Sequence, residues 1–139
     1  MVKSKTHNLS ILTRGLAGGL VATIVNVAVF LIAQSSYVSF VVPSARPGEE
    51  TMEIGLWPVV LFTIGPAIIA ILLVMLFNRI SRRPFSIYLV IAILIFLASF
   101  YPLSMEMANP TRLVLGAMHI VAAAGITLGI YSAYRRKVN

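Results

Sequence analysis

Four polar side chains interrupt long apolar runs of this 139-residue sequence: Asn26, Thr63, Ser99 and His119. An amide and an imidazole can each donate and accept hydrogen bonds. An imidazole also belongs to the one side-chain class that titrates near neutral pH. His119 is the only histidine inside an apolar run; His7 lies in the N-terminal arm, too far along to give His119 a second imidazole within one chain. With no cysteine in the chain, there is no disulfide, no thiol chemistry and no Cys-ligated zinc or iron–sulfur site to consider, and with one histidine in the spans a metal or haem centre is not expected. All four acids, Glu49, Glu50, Glu53 and Glu106, fall outside the apolar runs, so a carboxylate-driven proton antiporter would lack its key group. No hydrolase triad, carboxylate pair, phosphate loop or dinucleotide fingerprint is present. The expectation is a non-enzyme without a cofactor. Two readings of the polar residues stay open. They can be interhelical glue, worth on average about 0.6 kcal/mol per contact, or they can form a ligand- or proton-binding pocket, the default reading of an ionisable residue inside a membrane.

The elements that position these residues follow from composition. Apolar residues make up 59% of the chain and charged residues 11%, whereas soluble domains carry roughly 45–50% and about 25%. That excludes a water-soluble globule and a disordered chain. A membrane-crossing helix needs about 20 apolar residues, and four stretches qualify: residues 15–33, 56–77, 85–103 and 113–134. Arg14 leads into the first, Asn78-Arg79 stops the second, Pro84 opens the third, and Arg112 and Arg135 bound the fourth. Although a basic arm precedes the first span, its apolar run is longer than the core of a cleaved signal, and no A-x-A site follows it; it is read as retained. The fold class expected is all-α: an integral membrane four-helix bundle forming a single transmembrane domain over residues 1–139.

Nine of the eleven basic residues lie on one side of that bundle: Lys3, Lys5, Arg14, Arg79, Arg82, Arg83, Arg135, Arg136 and Lys137. Arg46, Arg112 and all four acids lie on the other. The positive-inside rule then puts both termini in the cytoplasm, and so strong a bias argues against dual topology. The basic groups are short and juxtamembrane, which fits phospholipid contact rather than nucleic acid, even at a net charge of +7.

Gly15-x-x-x-Gly19, with Gly18 and Ala22 beside it, and Gly125-x-x-x-Gly129 allow close helix approach. Both fall in the cytoplasmic half, so a tight contact between spans one and four is expected there, as intramolecular packing or as a homo-oligomer seam. Asn26, Thr63, Ser99 and His119 lie in the outer half, and Gly65-Pro66 adds a kink near the same level. The bundle is therefore expected to close at the cytoplasmic end and open outward around Asn26, Thr63 and His119. In the 35–54 loop, Tyr37–Pro43 reads as a short extended segment across the bundle mouth or in the lipid interface, a cap or a docking site for a partner, and Pro43 and Pro47-Gly48 mark turns in the polar part that follows. Glu106 and Arg112 are within reach of each other if the second outer loop is partly helical. Trp57, Tyr101, Tyr131 and Tyr134 read as interfacial anchors.

The Arg14–Gly19 segment, Asn26, the Ser39–Pro43 stretch and Met118-His119-Ile120-Val121-Ala122-Ala123 together resemble an uncharacterised bacterial four-helix membrane family, domain of unknown function 6069. The resemblance spans nearly the whole chain. It implies four membrane helices and a bacterial plasma membrane, brings no established activity, and would map the family's Asn and His positions onto Asn26 and His119. Beyond the lipid bilayer, the expected partner is a larger membrane complex or a second copy, with the chain as an accessory or structural subunit. The alternative is a binder or carrier of a small or lipidic molecule through the Asn26–Thr63–His119 pocket.

Overall fold

The structure, a computed structural model, describes residues 2–44 and 46–135, with side chains from His7 onward. Arg136, Lys137 and the side chains of Lys3 and Lys5, counted above among the charges that set orientation, lie outside the described residues. Four helices account for most of the chain: α1 Val2–Ser35, α2 Leu56–Ile80, α3 Pro84–Ala98 and α4 Asn109–Arg135. All four are long and apolar enough to cross a membrane, once the 3-10 turn Pro102–Ser104 that follows α3 is counted with it. Large apolar side chains such as Ile24, Ile69, Leu94 and Ile120 stand exposed around the bundle. In water such a surface would aggregate; toward acyl chains it is the expected outer face of a multi-pass membrane protein.

Helix α1 extends well N-terminal of the apolar span, because nothing between Val2 and Arg14 breaks a helix. It ends in a Schellman turn. The Val38 amide donates to the Ala33 carbonyl at 3.0 Å and the Tyr37 amide to the Gln34 carbonyl at 3.1 Å. Tyr37, at φ 62°, occupies the left-handed position that usually holds glycine. Helix α2 runs unbroken through Pro66, and Pro84 occupies the first turn of α3.

The loop between α1 and α2 holds a short β ribbon. Strands β1 Val41–Pro43 and β2 Thr51–Glu53 pair antiparallel, with Val42 opposite Met52. They are joined through a turn in which Pro47 precedes Gly48 at φ 85°, the residue order of a type II turn.

α1 packs most extensively on α4 and next on α2, while α3 lies against α2 and more lightly against α4. Two apolar clusters fill the interior. One, at the end carrying both termini, contains Ile11, Ala67, Ile71, Val74, Tyr88, Ile126, Ile130 and Ala133. The other, at the loop end, contains Phe30, Ala33, Phe40, Val59, Leu103, Leu115 and Met118. The loop end is therefore plugged, which corrects the outward-open bundle expected from the sequence. The plug forms because Phe40, just before β1, turns inward and meets the Phe30 ring at 4.6 Å between centroids.

Candidate functional site

A polar layer lies between the two apolar clusters. Asn26 projects from α1 and Nδ2 donates both to Thr63 Oγ1 on α2 and to the Met118 carbonyl on α4, each at 3.1 Å. Thr63 Oγ1 passes its own proton to the Val59 carbonyl at 2.8 Å, so each donor in the chain is used. One amide thus ties three helices at one level. Asn26 and Thr63 are 1% and 3% exposed. The remaining acceptor, Asn26 Oδ1, is buried and meets no donor among the described residues.

His119 does not join this layer, and Ser99 does not either. Consecutive helical residues are about 100° apart around the axis at 3.6 residues per turn. Met118 faces inward, so His119 turns toward the end of α3, where its ring lies 6.1 Å from that of Phe100. Its Nδ1 is 2.8 Å from the Leu115 carbonyl one turn back. A carbonyl only accepts, so Nδ1 carries the hydrogen there. Ser99, the C-cap of α3, donates to the Phe96 carbonyl at 2.6 Å. The outward pocket of Asn26, Thr63 and His119 is therefore corrected to a sealed Asn26–Thr63–Met118 contact, with His119 half-buried on another face.

The glycines divide their work between two neighbours. A Cβ on Gly125 would fall 2.8 Å from the Ala22 Cβ, and one on Gly129 would fall 2.6 Å from the Arg14 carbonyl oxygen, so the α4 pair packs on α1. The α1 side of that contact is Gly18 and Ala22. Gly15 and Gly19 instead face α2: their added Cβ atoms would meet Ile71 Cγ1 at 2.6 Å and the Ala67 Cβ at 2.7 Å. Helix α1 thus carries two small-residue stripes side by side, one for each neighbour.

Several polar contacts have no counterpart in the sequence reading. Arg14 NH1 reaches across to Ser132, donating to its carbonyl at 3.3 Å and its hydroxyl at 3.2 Å. The Tyr134 hydroxyl donates to Asn78 Oδ1 at 2.8 Å, and Asn78 Nδ2 donates to Asn8 Oδ1 at 3.3 Å, linking α4, α2 and α1. Tyr134 is thus an inward packing residue rather than an interfacial anchor, whereas Trp57, Tyr101 and Tyr131 are exposed. Thr111, fully buried, holds the Ser39 carbonyl and so fixes the chain just before β1 to α4. Arg112 donates to the Met105 carbonyl at 3.1 Å instead of pairing with Glu106. The ion pair among the described residues is Arg46–Glu49, at 3.7 Å. Only the Thr111–Ser39 bond had a possible signal, a hydroxyl just after Asn109-Pro110 where a helix begins; the others depend on which helices are neighbours.

No three residues of the metal-ligating types come together among the described residues.

A family of unknown function, DUF6069, matches residues 7–136. The chain belongs to this family. The match takes in most of α1, the whole of α2, α3 and α4, and the loops between them. No curated protein and no solved structure matches the chain.

Proposed function

We propose that this family member is a small non-enzymatic membrane protein that acts by lateral association, as an accessory or structural subunit of a larger membrane assembly or of a homo-oligomer. The observation that carries the reading is the contrast between interior and exterior. The buried polar layer spends its donors on the chain itself, while α3 fully buries only Tyr88 and, apart from half-buried residues such as Phe85 and Ala92 that pack on the core, turns a broad aliphatic face outward. Small-residue stripes already used inside the bundle favour an outward aliphatic face for association over a glycine seam. The charge asymmetry supports cytoplasmic termini, and the family resemblance supports a bacterial plasma membrane. Mild-detergent purification from the native membrane, with mass spectrometry of what accompanies the tagged chain, tests the reading. A protein present in fixed proportion, or a stable homo-oligomer, is expected. A monomer that carries one enriched small molecule would contradict it.

One observation favours the second reading, a binder of a small or lipidic molecule: Asn26 Oδ1 is an acceptor without a donor at the centre of the polar layer. In that reading the outer plug must open before a ligand can donate to it. Phe40→Ala, which removes the plug's central ring, would then increase ligand uptake, and Asn26→Leu would abolish it.

A further inference from the structure

The end of the bundle that carries the termini has a groove of about 550 Å³ beside the start of α3. Arg82, Arg83 and Ser86 line its head, and Ile87, Val90 and Ile91 line the part that runs along the helix. From Arg83 to Ile91 is eight residues, about 12 Å along a helix. The charged and apolar linings therefore lie in the order that a phospholipid presents headgroup and acyl chain.

Charge separation within the chain leaves the two arginines exposed, with no side-chain hydrogen bond or ion pair among the described residues. Glu49, Glu50, Glu53 and Glu106 all lie in loops at the opposite end of the bundle. That places them about one hydrocarbon thickness away, roughly 30 Å, against a screening length of about 8 Å at physiological salt. None of the four glutamates is within reach of Arg82 or Arg83. The first turn of α3 adds open backbone N–H groups of the same polarity. The two charges are therefore open to an anion from outside the chain, and at the surface of a membrane a lipid phosphate meets them with a favourable attraction of about 1 kcal/mol per basic residue.

We propose that this groove binds one anionic phospholipid, with its phosphate held by Arg82 and Arg83 and one acyl chain lying along Ile87, Val90 and Ile91. The proposal is independent of what the protein associates with through its other faces.

Native mass spectrometry of the full chain in an uncharged detergent, titrated with phosphatidylglycerol and with phosphatidylcholine of the same acyl chains, tests it. Phosphatidylglycerol should bind as a single copy at least about tenfold more tightly than phosphatidylcholine. R82Q/R83Q should weaken it about 30-fold, given about 1 kcal/mol for each basic residue near an anionic lipid. V90W fills the groove without changing charge and should also weaken binding, which keeps the test available if the arginine variant folds poorly. R79Q/R135Q removes two charges from the same end outside the groove and should weaken binding clearly less than R82Q/R83Q does. Four results would overturn the proposal: equal binding of the two lipids, an equal loss in R79Q/R135Q, an unaffected V90W, or displacement of the lipid by millimolar inorganic phosphate. A chain dimer in place of the lipid adduct, lost on V90W substitution, would assign the groove to a second copy and overturn it as well.

Discussion

Asn26 shows why depth in a span is informative and identity of the partner is not. Its position inside the apolar run of span one marks it as a residue that needs hydrogen bonds, and Thr63 at a matching depth is the partner the structure supplies. His119 lies at a similar depth yet takes no part, because its angular position follows from Met118 facing inward, and nothing in a single uniformly apolar helix fixes which face is inward. The Asn26–Thr63 contact makes a measurable prediction. In a double-mutant cycle of Asn26→Leu and Thr63→Val, unfolding in detergent should give a coupling of about 0.6 kcal/mol, the membrane average for such bonds, and no more than roughly 1.7. A coupling of zero would mean that the two side chains pack without bonding. Tyr37 makes the opposite kind of prediction. A left-handed backbone costs an ordinary residue roughly 1–2 kcal/mol, which glycine avoids. Tyr37 is almost fully exposed, so Tyr37→Gly loses little packing and should raise stability by about 1 kcal/mol. A lower melting temperature for that variant would instead assign the tyrosine ring an interfacial contact that outweighs the backbone cost.

At the level of the helices, the number and type of elements were legible because each span needs a long apolar run and each run is bounded by charge or by proline. The Gly18–Gly125–Gly129 approach of α1 to α4 was legible in outline from spacing alone. That Gly15 and Gly19 serve α2 was not, since spacing shows a smooth face without naming the helix that meets it. The turn at Pro47-Gly48 and the extended stretch before it were legible, but the pairing with Thr51–Glu53 was not, because three-residue strands are too short for a periodic signal. Substitution separates the glycines by their surroundings. Gly125→Ala places a methyl group 2.8 Å from the Ala22 Cβ, and overpacking of this kind costs about 1–3 kcal/mol. Gly116→Ala, also in α4, meets nothing closer than 3.7 Å and should be neutral or stabilising by up to about 1 kcal/mol through helix propensity. Thermal unfolding of the two variants side by side checks the pair; equal melting temperatures would contradict the close approach of α1 and α4.

Taken whole, the molecule has an interior that is closed on itself and an exterior that is not. Charge is divided between its ends, and the absence of native cysteine makes the orientation easy to read. Glu50→Cys in the ribbon should react with an impermeant maleimide in intact cells, and Arg82→Cys only after permeabilisation, as the positive-inside rule requires. The reverse pattern would invert the assignment of both ends. The central claim is that function lies on the outward helix faces, and it is tested most directly by photo-crosslinking in the native membrane from one exposed position on each helix: Ile24, Ile69, Leu94 and Ile120. At least one position should yield a discrete protein adduct of constant mass, with a neighbouring subunit or a second copy. Lipid adducts alone at all four positions would contradict the claim and return attention to the polar layer around Asn26.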